Sequence, residues 1–124
     1  MELNPESDLV VNATDLNSEF RSFSLLFYRY CLQKADVEKK RDLAKARLEE
    51  LKAVTYKRVK MNVAVKHTEK SVEAEIDTDP MVLEAERRFI EAEHEAKTVG
   101  SAVESMRAKK DCLIQLGADA RKER

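Results

Sequence analysis

Lys52, Lys57, Arg58, Lys60 and Lys66 fall within fifteen residues that contain no acidic side chain. Ammonium and guanidinium groups at this density neutralise phosphates, and Tyr56 in their midst offers a ring on which a base can stack. Lys45 and Arg47 extend the run upstream. At 100° per residue, Lys45, Lys52, Tyr56 and Lys60 fall within about 80° of one another on a helix, although Glu49 shares that face. The chemistry in view is non-covalent, sequence-blind binding of a nucleic-acid strand. The plain alternative is the solvated face of a coiled coil.

Catalytic chemistry is harder to find. No GxGxxG, phosphate loop, GxSxG or HExxH occurs. Glu91 and His94 make one Glu-x-x-His, half of a di-iron carboxylate pattern. His94 lies about 200° from Ala92, which belongs to the apolar stripe of that helix, so it is expected to face outward. His67 stands alone beside Thr68 and Glu69. The chain is expected to be non-enzymatic, with no catalytic residues, no metal and no cofactor. Cys31 and Cys112 are far apart and sit in amphipathic stretches, which suits buried free thiols in a reducing compartment better than a disulfide.

The 124 residues are 38% charged, 43% apolar and 6% aromatic, with two Gly, two Pro and no Trp. So few turn residues nearly exclude a sandwich or barrel, and the balance is that of long helices. The net charge of −1 hides four blocks: −3 over 1–33, +6 over 34–70, −7 over 71–104 and +3 over 105–124. Any polyanion would meet the second block. No apolar run approaches 18 residues, so no membrane span is expected. The N-terminus lacks a basic leader, so a cytoplasmic location is expected.

The elements that position these residues can be placed by period. Residues 1–13 are read as an arm, since Pro5 and its polar flanks argue against helix. Asn12 or Thr14 can cap a first long helix over about 14–64. Its stripe begins Leu16, Phe20, Phe23, Phe27, Tyr30 with 4-3-4-3 spacing. It continues more thinly through Val37, Leu43, Ala44, Leu48, Leu51 and Val54. Residues 56–65 are rich in β-branched side chains and either end the helix or form a short strand, the former being favoured. A break at 67–71 precedes a short element over 69–77, capped by Thr68 or Ser71. Asp79-Pro80 opens a second long helix over about 80–116. Its stripe is Val82, Ala85, Phe89, Ala92, Ala96, Val99, Val103, Met106 and Leu113, with Lys110 as its one polar break. Gly100 sits mid-helix, Gly117 is a plausible stop, and 119–124 is a tail. The expected fold is all-α: a single helical domain (14–118) of two long antiparallel helices with a short central element. Its aromatic cluster and Ala-rich stripe call for further partners, hence a homo-oligomer or a partner protein.

The stretch Ala44-Lys45-Ala46-Arg47-Leu48-Glu49-Glu50 resembles the Leu-Lys-Ala-Arg-Leu-Asp-Tyr motif of the phage recombination mediator family, the UvsY-like proteins. The order of features is also similar over about residues 9 to 120. A short apolar segment, Asn12-Ala-Thr14 and an aromatic helix (Phe20 to Leu32) come first. The basic helix, the Thr68-Glu69-Lys70-Ser71 break and a long final helix follow. The resemblance implies a phage-encoded, ring-forming homo-oligomer in the host cytoplasm. Such a protein binds single-stranded DNA and helps a RecA-like recombinase displace a single-strand-binding protein. It implies DNA contact at Lys45 and Arg47. Here Ala44 replaces the motif's leading Leu, and Glu49-Glu50 replaces Asp-Tyr.

The combined expectation places Lys45, Arg47, Lys52, Tyr56, Lys57, Arg58 and Lys60 along a DNA path. Phe20, Phe23, Phe27, Tyr30, Phe89, Val99 and Val103 are assigned to the core or the subunit interface. The rival expectation is a helical adaptor or assembly protein, or a phage inhibitor of a host enzyme. It would bind protein through the Ala-rich stripe or the acidic face Glu84 to Glu95, and would not bind DNA.

Overall fold

The computed structural model describes residues 3–62 and 68–123. They form four helices: α1 (Pro5–Asp8), α2 (Leu16–Lys60), α3 (Glu69–Thr78) and α4 (Pro80–Lys122). No strand occurs among the described residues. The protein is all-α, and its two long helices pack against each other. The chain divides into two compact units, one of Met1–Asp36 with Lys97–Arg124 and one of Val37–Ala96.

In the first unit, the opening of α2 packs antiparallel to the end of α4 around Phe23, Tyr30, Val103, Met106 and Leu113. The arm expected to lack regular structure contains α1. Pro5 occupies a first-turn position, where the missing amide is not needed, and Asn4 Oδ1 accepts from Ser7 N. Leu3, Leu9 and Val11 of this arm pack on the aromatic cluster. Part of the cover that the cluster demands therefore comes from its own chain. The cap of α2 is neither Asn12 nor Thr14. Asp15 Oδ1 accepts from Ser18 N at 3.1 Å, while Asn12 Oδ1 folds its own turn onto Thr14.

Two further expectations are corrected in this unit. Gly117 does not stop α4, which runs through 119–122 to Lys122, so the expected tail is helical to that point. The glycine instead makes room for Phe20, whose Cζ lies 3.4 Å from where a Cβ would stand. The polar residue in the α4 seam is Lys109, not Lys110, which is exposed. The seam steps Met106, Lys109, Leu113 because Lys109 finds partners inside. Its Nζ donates to the Asp8 carbonyl at 2.6 Å and pairs with Glu19 Oε2 at 3.0 Å. Glu19 Oε1 accepts from Asn12 N at 2.9 Å, and Tyr30 Oη donates to Asp8 Oδ2 at 2.7 Å. These bonds hold the arm at Asp8 and Asn12.

In the second unit, residues 37–60 of α2 lie against the start of α4, with Leu48, Val82 and Ala85 buried together and Leu51, Ile76 and Phe89 packed on them. The α2 seam steps Ala44, Leu48, Leu51, Thr55, Val59. Leu43 and Val54 were expected in this stripe but are 60% and 56% exposed. At 100° per residue they lie about a quarter turn from the seam, and Thr55 and Val59 are buried instead. The β-branched run stays helical to Lys60 and closes with Met61 N to Lys57 O and Asn62 N to Val59 O. The rest of that run, residues 63–67, lies outside the described residues. Thr68 caps α3 in a reciprocal box with Ser71. Asp79 Oδ1 caps α4, accepting from Met81 N at 3.0 Å and Val82 N at 3.2 Å.

The thiols also differ from expectation. Both are free, but Cys31 is half-buried and Cys112 is exposed. No helix among the described residues is long and apolar enough to cross a membrane.

Candidate nucleic-acid interface

All seven residues of the expected DNA path lie on α2 between Lys45 and Lys60, and all are exposed. The unbroken helix gives each a definite direction. Lys45, Lys52, Tyr56 and Lys60 share one stripe. Arg47 and Arg58 point about 160° and 140° away from Lys45, and Lys57 lies about 120° from it. The seven residues therefore divide. One helix face cannot present Lys45 and Arg47 together, although they sit two residues apart in the motif.

The lysine stripe has the exposure that phosphate contact needs. Among the described residues, no carboxylate pairs with Lys45, Lys52 or Lys57. Tyr56 is 41% exposed, and the Lys60 ammonium stands 5.7 Å from the centre of its ring. That contact orients the ring and places a cation beside any base stacked on it.

The other two cations, and Lys60 at the end of the stripe, are engaged. Arg47 pairs with Glu50 at 3.3 Å along the helix. It also borders a groove of about 440 Å³ between Leu43, Leu51, Met81 and Arg88. Arg58 pairs with Asp79 Oδ2 at 2.7 Å, and Lys60 with Glu69 Oε1 at 2.9 Å. The two pairs that reach α3 leave their mark on protonation. Arg58, aided by the amides of Val82 and Met81, holds the Asp79 carboxyl below its ordinary range. Glu69 raises the Lys60 ammonium above its own. Neither Glu69 nor Asp79 was picked out as part of this site. Only the placement of α3 brings them to the basic helix.

The residues assigned to core or interface are distributed over both units. Phe23 and Tyr30 are buried, and Phe27 stacks on Phe23 with ring centres 5.6 Å apart. Phe20 is largely exposed beside Gly117. Val103 is fully buried, Val99 is half-buried, and Phe89 is half-buried against the second cluster. His94 and Glu91 are exposed on α4, and His67 lies outside the described residues. Among the described residues, no group of three or more His, Cys, Asp or Glu side chains is placed to hold a metal ion.

Lys109, Glu19 and Asp8 were not singled out from the sequence. A lysine one position from the seam carries no local sign that it turns inward. Comparison with protein-family models, characterised proteins and solved structures gave no match.

Proposed function

We propose that this protein is a non-enzymatic single-stranded-DNA-binding recombination mediator. It acts as a homo-oligomer and helps a RecA-like recombinase displace a single-strand-binding protein. The observation that carries the proposal is the exposed Lys45–Lys52–Tyr56–Lys60 stripe, which combines ammonium groups with an aromatic face on a rigid helix. The resemblance of the Ala44–Glu50 segment to the mediator motif supports it and supplies the recombinase and the single-strand-binding protein as partners. Self-association would repeat the basic segment around the assembly, so weak contacts multiply.

The direct test is fluorescence anisotropy of labelled oligo-dT at low and physiological salt, with light scattering on the same sample. Salt-sensitive binding by a defined oligomer is the expected result. A folded protein without affinity for oligo-dT even at low salt would overturn the proposal. A helical adaptor that binds protein instead has one observation in its favour. Leu25, Tyr28 and Leu32 are each more than half exposed and, at spacings of three and four, form one apolar ridge on α2. Partner capture through that ridge without DNA affinity would establish this second function.

A further inference from the structure

Two cations in the last turn of α2 are already bound by carboxylates, Lys60 on the lysine stripe and Arg58 about 160° around the helix from it, and those carboxylates bracket one short helix. Glu69 is the first residue of α3, and Asp79 is the residue that ends it. The two ion pairs, at 2.9 and 2.7 Å, thus tie both ends of α3 to the last turn of α2. Lys45 and Lys52, further back on the helix, carry no such pair among the described residues. A phosphate reaching this end of the path therefore meets cations whose positions next to an anion are taken.

The clasp can open without unfolding the helix that bears it. Val72 is buried, and Ile76 packs on the Leu48–Val82–Ala85 cluster, so α3 is anchored by its apolar face. Lys60 and Glu69 are exposed side chains. Exchanging one anion for another needs only side-chain rotation, which is fast. Asp79 is more enclosed, with 11% of its side chain exposed, but Arg58 is exposed and can turn away from it.

We propose that α3 is an internal electrostatic clasp. Glu69 and Asp79 occupy Lys60 and Arg58 in the free protein and give way to backbone phosphates when a bound single strand runs off the stripe and around the last turn of α2. The clasp rests on the DNA-binding function proposed above and adds its regulation. It lowers affinity at the Lys60 end of the path and flattens the salt dependence. The counterion that each phosphate gives up is then offset by the cation that the vacated carboxylate attracts, so the net release is smaller.

The test is the double substitution Glu69→Gln, Asp79→Asn. Asn keeps the cap of α4, and circular dichroism checks that the helices are intact. Each exposed ion pair is worth about two- to fivefold in an equilibrium constant. The double variant should bind oligo-dT about four- to twenty-five-fold more tightly at low salt. Its log–log salt slope should steepen by up to about 1.4, or 0.7 per released cation. Glu73→Gln, Glu75→Gln removes the same charge from α3 away from the clasp and should leave the slope unchanged.

If the wild type binds and the folded double variant matches it in affinity and slope, the clasp is overturned and DNA binding stands. The same holds if the Glu73/Glu75 control shows the same gain, because the effect is then net charge alone. Binding by the double variant but not by the wild type would support both proposals. No binding by either at low salt would overturn both.

Discussion

Replacing Lys109 by Met tests the contacts that hold the N-terminal arm. Met keeps the length and apolar character of the buried stem and deletes the ammonium. Two interactions vanish: the ion pair with Glu19 at 3.0 Å and the bond to the Asp8 carbonyl at 2.6 Å. Removing one partner of a fully buried pair costs about 3–5 kcal/mol, because a bare charge is left behind. Glu19 is not sealed off. Its side chain is 15% exposed, and its other oxygen still accepts the Asn12 amide. Water can therefore recover part of the loss, and about 2–3 kcal/mol is expected once the orphaned Asp8 carbonyl is included. For a chain of this length that lowers Tm by about 6–15 °C.

Thermal and urea unfolding followed at 222 nm measure the loss. Native-state hydrogen exchange should show faster opening at residues 9–12, where the arm is held. Adding Glu19→Gln to Lys109→Met removes the stranded charge and should recover part of the stability. A loss below about 0.5 kcal/mol, the range of ordinary surface substitutions, would refute the claim that this pair fastens the arm.

Four other outcomes are expected. The Glu19 carboxyl is held below its ordinary range, first by the Asn12 amide and then by Lys109. Its stabilisation is complete above the unfolded carboxyl range and is lost as pH falls through the lowered folded value. An acid unfolding series of wild type against Glu19→Gln should diverge only above that point. Burial, and then the Asp8 carboxylate, raise the Tyr30 hydroxyl above its ordinary range. Stability should fall as pH rises past about 10, and ultraviolet titration should show Tyr30 withholding its phenolate signal until the fold opens. Gly100→Ala should stabilise by about 0.5–1 kcal/mol in urea unfolding, since nothing lies within 4 Å of the new Cβ. Lys45→Glu with Lys52→Glu should weaken oligo-dT binding and reduce the salt slope by about 1.4, whereas Arg47→Gln should have less effect because Arg47 faces away from that stripe.

The local features of the fold were legible because their causes are local. Asp79-Pro80 reads as a helix start because a carboxylate cap and a proline in the first turn act within three residues of each other. Thr68 and Ser71 read as a cap for the same reason. The stripe from Leu16 to Tyr30 is a matter of period, and two long helices follow from the near absence of Gly and Pro. Where a local rule had competition, it failed. Gly117 looked like a stop, but its missing Cβ serves the Phe20 ring across the seam. Lys110 satisfied the 3-4 count, but Lys109 had Glu19 and the Asp8 carbonyl to bond.

The candidate site divides along the same line. That Lys45, Lys52, Tyr56 and Lys60 share a face follows from the helix period and the residue types alone. That Arg58 and Lys60 are held by Asp79 and Glu69 follows only from where α3 packs, and apolar contacts at Val72 and Ile76 decide that. The sequence by itself determined the two long helices, the caps of α3 and α4 and the direction in which each cation points, because these depend on neighbours within a few residues. Tertiary structure alone decided which of those cations are left for a ligand, because their partners reach them only when separate helices are brought together.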